Sequence, residues 1–434
     1  MLREVQGSND GVRLLNGTGF TAKLGAGSRQ RAKTTIVGRL PSGGLDDPGP
    51  PAHPAGPGFP AGCSGRGVVA VPAVDCPALL RALTSEEADV RRRELLFELA
   101  LALGGTPALV LLRRLSPPEK DRLAAAVRPP GRVDAGTVEV IEKLTAHCRR
   151  LDDAHGPATV LPVVQGQRAM VAGLLRDHSL LPGLRTRLTH AYAQLGQLAG
   201  YLHYDLTDYP GAHHCYQDAL TAAHEADDPA LIAYLHICMS YVAVYQRDVG
   251  RALDHVFAAQ GWAGRAAGNV VRSVHAMETA RVLALDGRVK ESERSLARAV
   301  TLAAEPRTDG DPGYLYWWPS SRMQSHTTDC LLAWGRLDDA IASISHTLGS
   351  PATPMLVRGQ TLLQYADVLV RKKEIPEAVA RIEEAAGLTG RHSSGRLPQE
   401  IRRVRARLAP WSGNNHVRRL DDRLHVLGIA SATR

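Results

Sequence analysis

The sequence predicts an all-α protein made of repeated helix pairs behind a Gly/Pro-rich leader, and three observations carry that reading. From about residue 76 onward, apolar residues recur at helical spacing and no stretch alternates as a strand does. Within that region, five segments align with one another without gaps. Residues 1–75 contrast with both, being dense in Pro and Gly and poor in apolar side chains.

The leader comes first. The stretch PSGGLDDPGPPAHPAGPGFPAGCSGRG has too little apolar surface to repay the entropy of ordering, so a disordered segment is expected over 1–75. Its basic start includes KLGAGSRQRAK, where Gln30 stands in the place of the third glycine of G-x-G-x-x-G, and no G-K-[ST] motif accompanies it. A solvated tail, or sequence upstream of the natural start, is the leading reading; a short nucleic-acid-binding tail is the alternative. The balance of 52 Lys+Arg against 44 Asp+Glu, a formal +8 over 434 residues, is a weak pointer to nucleic acid. Six well-separated cysteines (63, 76, 148, 215, 238 and 330) form no C-x-x-C pair, which excludes a zinc ribbon or disulfide framework as the organising device and fits a reducing cytoplasm. The apolar stretch RRRELLFELALALGG at 91–105 is interrupted by Glu98 and too short to span a bilayer, so it reads as an amphipathic helix with no membrane partner.

Residues 76–180 form an N-terminal helical region. Within it, VDAGTVEVIEKLTAHCRRLDDAHGP has Asp134 as an N-cap, apolar Val138, Ile141, Leu144, Cys148 and Leu151 at helical spacing, and a stop at Gly156-Pro157. Residues 181–390 hold the repeats. Here DYPGAHHCYQDAL, DVGRALDHVFAAQ, RVKESERSLARAV, RLDDAIASISHTL and EIPEAVARIEEAA share four columns. A small residue (Ala212, Ala252, Ser292, Ala340, Ala378) precedes by four a large one (Tyr216, Val256, Leu296, Ile344, Ile382), and a second small residue follows three later. Another small residue (Gly200, Ser240, Ala280, Thr328, Ala366) lies twelve before each small anchor. Two helices approach to roughly 8–10 Å only where small side chains face each other, which gives these columns a physical cause. The pattern resembles the tetratricopeptide repeat. Anchors 40, 40, 48 and 38 residues apart exceed the ~34 of the usual repeat, and the longest interval contains an insertion, DGDPGYLYWWPSS. Residues 391–434 read as C-terminal capping helices.

His213, His214 and Cys215 in the first repeat invite a metal reading. Adjacent histidines on a helix point about 100° apart, and no H-E-x-x-H set accompanies them, so no metal or other cofactor is expected. No G-x-S-x-G elbow or phosphate loop appears, and a non-enzymatic protein is expected.

Along 84–430 the chain also resembles the regulatory part of actinobacterial transcriptional regulators that join a Cro/repressor-like helix-turn-helix to tetratricopeptide repeats. The segments RRRELLFELALALGG, VDAGTVEVIEKLTAHCRRLDDAHGPATVLPVV, HYDLTDYPGAHHCYQDALTAAHEADDPAL, DPGYLYWWP, RARLAPW and VRRLDDRL carry the resemblance. It implies an α-solenoid, a superhelix whose repeats receive a peptide or protein and relay the event to DNA. Residues 1–90 contain no segment that reads as a helix-turn-helix, so DNA is expected to be reached indirectly or weakly.

Under that repeat geometry the first helix of each pair lines a concave groove. Gln194, Gln197, Tyr201 and Tyr204 fall there from the first pair and Tyr234, Tyr241 and Tyr245 from the second, with Arg281, Arg322, Asp329, Gln360 and Asp367 beyond. These include five of the chain's eleven tyrosines, which suits binding of an extended peptide; the alternative is that several rings pack against neighbouring helices. Tyr314, Tyr316, Trp317 and Trp318 of the insertion either form a partner loop or fold back to seal the gap between repeats. The arginines at 402, 403, 405, 407, 418 and 419 share helices with Leu408, Leu420, Leu424 and Leu427 and are expected on a charged outer face, with phosphate contact as the alternative. The expected function is a regulatory helical-repeat protein with a peptide or protein partner. Direct DNA binding and self-assembly, including a homodimer, are the competing readings.

Overall fold

The computed structural model describes residues 102–127, 131–319, 321–391 and 394–429, with short helical stretches between 78 and 100. The leader expected over 1–75 lies outside the described residues. Among the described residues all regular structure is helical, without a strand, and no helix is long and apolar enough to cross a membrane.

Two helices, α1 (Ala108–Leu112) and α2 (Pro117–Val127), precede α3 (Ala135–His155) and α4 (Pro157–Asp177). Asp134 caps α3 by accepting from the backbone N–H of Thr137 at 2.8 Å, and Val138, Ile141, Leu144, Cys148 and Leu151 are all buried on its core face. Five helix pairs follow: α5 (Pro182–Asp205) with α6 (Tyr209–Glu225), α7 (Pro229–Tyr245) with α8 (Val249–Arg265), α9 (Asn269–Leu285) with α10 (Val289–Ala303), α11 (Ser321–Ala333) with α12 (Leu337–Gly349), and α13 (Met355–Arg371) with α14 (Ile375–Ala386). The chain ends with α15 (Arg396–Arg407) and α16 (Asn415–Val426).

Each of the five pairs is joined by a turn of three residues whose middle one is left-handed: Thr207 (φ 64°), Arg247 (63°), Gly287 (78°), Gly335 (77°) and Lys373 (63°). In the first turn Asp208 N–H donates to His203 O at 2.9 Å and Thr207 N–H to Tyr204 O at 3.0 Å, and the other four repeat this pairing. This double bond satisfies the last carbonyls of one helix while sending the chain back along it. Asp208 and Asp248 then cap the second helices of their pairs by accepting from Gly211 and Arg251 N–H.

The aligned columns lie where the helices meet. All of their small residues are buried, and so are Tyr216, Val256, Ile344 and Ile382; Leu296 is half-buried. At Gly200 a Cβ would stand 2.4 Å from the Tyr216 ring, so only glycine lets this ring lie flat against α5. From α3 onward each odd-numbered helix also packs against the next odd-numbered one, so the sequence α3, α5, α7, α9, α11, α13, α15 forms a continuous inner wall.

The C-terminal segment departs from expectation. Leu408, Leu420 and Leu424 are buried and Arg418 and Arg419 are exposed, as an outward-facing cap requires. Leu427, in contrast, is exposed, and α15 does not confine its arginines to the outside. It packs on α13 and α14 and reaches back to α5, where Gly395 N–H donates to Asp205 O at 2.8 Å and Arg396 Nε to Asp205 Oδ1 at 2.5 Å. The reason is electrostatic: Asp205 and Arg396 are both nearly inaccessible to water and compensate each other's charge.

Candidate functional site

Helices α3, α5, α7, α9, α11, α13 and α15 and the segment between α10 and α11 surround a cavity of about 680 Å³. Its wall alternates aromatic rings with charges. Helix α3 supplies Arg149, Asp152 and Asp153, and α5 supplies Gln197, Tyr201, Tyr204 and Asp205. From α7 come Tyr234, Tyr241 and Tyr245, from α9 Arg281, and from α11 Arg322, His326 and Asp329. Gln360 and Asp367 of α13 and Arg396, Glu400, Arg403 and Arg407 of α15 complete it.

Eleven of the twelve groove residues named from the sequence therefore line one cavity. Gln194 does not. Its side chain meets His190 at 3.3 Å, while its backbone carbonyl accepts from Arg149 Nη2 at 3.2 Å. The insertion divides. Tyr314, Tyr316 and Trp317 line the cavity, whereas Trp318 is buried in the core and donates its Nε1–H to Ser273 Oγ at 3.0 Å. Tyr314 stacks on Tyr234 with ring centroids 5.6 Å apart, and the Tyr316 hydroxyl bonds Asp153 of α3. The segment thus folds inward across the cavity rather than projecting from the surface.

Tyrosine packing and cavity lining coexist. Tyr204 and Tyr234 are buried, and Tyr204 meets Tyr201 at 6.1 Å and Tyr245 edge-on at 5.2 Å. Tyr201, Tyr241 and Tyr245 retain partial exposure. The Arg396 guanidinium lies over the rings of Tyr201, Tyr204 and Tyr245, at 4.4 Å from the centroid of Tyr204. Glu400 accepts from the Tyr245 hydroxyl and from Gln360 Nε2, Arg403 donates to Tyr245 O at 2.6 Å, and Arg407 pairs with Asp367. Gln360 Oε1 in turn accepts from Arg322 Nη1 at 2.8 Å.

Burial sets the ionisation of this wall. Glu278, behind Arg281 and fully buried, is pushed up to about 7 by desolvation, which the Arg281 charge 3.1 Å away opposes. Asp152 is pushed up to about 8, first by burial and then by the neighbouring charges of Asp205 and Asp153. His326 is held well below its ordinary range by burial and by Arg281, Arg322 and Arg396, so it is neutral at pH 7. The Cys238 thiol, 3.5 Å from Gln197 Nε2, is pushed up to about 12 by burial and stays protonated. The wall therefore offers guanidinium charge, aromatic faces and hydrogen-bond donors, with the polar groups held at fixed positions.

Sequence reading missed Arg149 and Asp152 upstream of the aligned repeats, Arg396, Glu400, Arg403 and Arg407 downstream of them, and Asp205 and His326 on the inner helices α5 and α11. The arginine-rich helix carried the one available signal, because α15 continues the succession of odd-numbered helices. His213, His214 and Cys215 lie on α6, away from the cavity, where Cys215 Sγ accepts from Arg168 Nη1 at 3.7 Å. Among the described residues no group of three His, Cys, Asp or Glu is placed to hold a metal ion. No protein-family model matches the chain, and no curated protein matches it.

Proposed function

We propose that the chain is a non-enzymatic regulatory protein of the cytoplasm whose helix pairs form a tetratricopeptide-like superhelix and whose central cavity receives a short peptide. The single observation that supports this best is the convergence of five tyrosines from α5 and α7 on one cavity of about 680 Å³. That volume falls in the roughly 300–1,000 Å³ range of small-ligand sites, and tyrosine gives wide contact at small entropic cost. The volume and the crossing of the cavity by α15 favour a few residues of peptide over a folded partner. Resemblance of the repeats to those of actinobacterial regulators suggests a role in transcription, with DNA reached through another protein.

A direct DNA-binding role through the leader or the exposed Arg418 and Arg419 is the alternative. Self-assembly into a homodimer is a third reading, to be recognised by concentration-dependent association without a foreign partner.

The test is capture from nuclease-treated and untreated native lysate, with mass spectrometry of whatever is released on denaturation, comparing wild type with Tyr241→Ala. Short peptides that survive nuclease and disappear with the variant are expected. Retention of DNA alone, indifferent to Tyr241 and falling steeply with salt, would replace this reading with direct DNA binding.

A further inference from the structure

One end of the cavity is incomplete in a way the other is not. Four arginines are buried among the described residues: Arg149, Arg168, Arg281 and Arg396. Arg168 meets Asp218, Arg281 meets Glu278, and Arg396 meets Asp205. Arg149 meets only neutral oxygens, donating from Nη1 to Gln197 Oε1 at 2.7 Å and from Nη2 to Gln194 O at 3.2 Å. Its Nε, like those of Arg168 and Arg281, is buried without a hydrogen-bond acceptor, so what sets Arg149 apart is the lack of a carboxylate partner. One helical turn on, Asp152 is equally buried at 8% exposure, and its Oδ1 has no donor. Both side chains line the cavity, and the Arg149 guanidinium lies 5.4 Å over the Tyr314 ring, which stacks on Tyr234.

Burying a guanidinium without a counter-ion costs several kcal/mol, and leaving polar atoms orphaned adds to it. A helix that carries both orphans into a cavity is arranged for something the protein itself does not supply. We propose that Arg149 and Asp152 anchor a monocarboxylate of the ligand, Arg149 as the cation and Asp152 as a hydrogen-bond donor to the second oxygen. This rests on reading the cavity as a ligand chamber and adds which chemical group that ligand presents.

The neighbouring charges select the class. Asp152 stays protonated at neutral pH because burial, Asp205 and Asp153 hold its proton on, so it can donate. Asp153 on the same helix opposes a dianion, whereas Asp205 is already balanced by Arg396, and a single uncompensated guanidinium balances one negative charge. A carboxylate fits this and a phosphate dianion does not. Two sources share that chemistry: the C-terminus of a short peptide lying along the tyrosines, and a small aromatic acid stacked beside Tyr314.

Equilibrium dialysis of the full chain separates them. The probes are a pool of N-acetylated tetrapeptides with free C-terminal carboxylates, the same pool as C-terminal amides, and phenylacetate with its amide. The expected result is retention of the acid pool at least about tenfold over the amide pool, with that preference lost in Arg149→Gln and partly kept in Arg149→Lys. Arg149-dependent retention of phenylacetate alone would uphold the carboxylate anchor and overturn the peptide reading of the cavity. Equal retention of acid and amide pools would overturn the anchor and leave the peptide reading standing. Retention of no probe would overturn both. The acid-to-amide ratio of the wild-type chain decides the matter even if a variant fails to fold.

Discussion

Arg396 and Arg149 are buried in the same cavity wall, yet Arg396 meets a carboxylate, a tyrosine hydroxyl and three aromatic rings, while Arg149 meets two neutral oxygens and one ring. Depth does not separate them, since Arg396 is 3% and Arg149 8% exposed. The difference lies in compensation. At Arg396 the fold supplies its own anion from 191 residues away and uses the pair to bring the C-terminal helix against α5. At Arg149 the corresponding anion is missing, and the nearest candidate on the same helix, Asp152, holds a proton instead. One arginine closes the structure, and the other is left for a ligand to complete.

The sharpest way to break this comparison is to remove the paired arginine. In Arg396→Gln, Asp205 is left buried with Ser394 Oγ at 2.7 Å as its remaining side-chain donor. Loss of one partner of a buried pair costs about 3–5 kcal/mol, because the abandoned charge stays desolvated. Urea unfolding should show that loss, and the double variant Arg396→Gln/Asp205→Asn should recover much of it. A single variant as stable as wild type would mean that the Asp205–Arg396 contact does not hold α15 in place.

A smaller effect is expected at Asp152, and pH reveals it. The carboxyl pKa is raised from 3.8 to about 8 in the folded protein, so the folded state binds a proton that the unfolded chain releases. The stabilising contribution of this group is complete below about 3.8 and is lost as pH rises through about 8. Asp152→Asn should therefore be more stable than wild type by roughly 1.5 kcal/mol at pH 5, with the gap widening by a further ~2 kcal/mol by pH 6.5. A gap of the same size at both pH values would show that this carboxyl ionises as it does in water, and Asp152 would lose its role as a donor.

The two arginines also mark what a sequence can disclose. Ala212, Ala252, Ser292, Ala340 and Ala378 were legible because close helix packing imposes the same small size on every pair, and repetition exposes a shared constraint. The turns were only partly so. Gly287 and Gly335 advertise their positive φ, but Thr207, Arg247 and Lys373 adopt the same angle with residue types that give no local sign of it. The tyrosines could be placed by extending the repeat register onto the inner helices. Trp318 could not, since its indole is drawn from the cavity by a hydroxyl 45 residues upstream, at Ser273. Asp205 and Arg396 stayed hidden for the same reason, being joined by tertiary closure and absent from any repeated column. Arg149 was out of view because what distinguishes it is the absence of a neighbour.

The smallest expected effect on stability is therefore the most informative. Arg149→Gln removes two hydrogen bonds to neutral acceptors and the contact over Tyr314, each modest, but it also removes a desolvated charge and an orphaned Nε–H. These terms oppose one another, and the unfolding free energy should change by less than about 1 kcal/mol. That outcome, beside the large loss at Arg396, would separate a charge kept for a ligand from one kept for the fold, since binding residues commonly stand at some cost to stability. A loss of about 3 kcal/mol or more at Arg149 would place both arginines in the same structural role. The carboxylate anchor would then have to stand on the acid-to-amide preference alone.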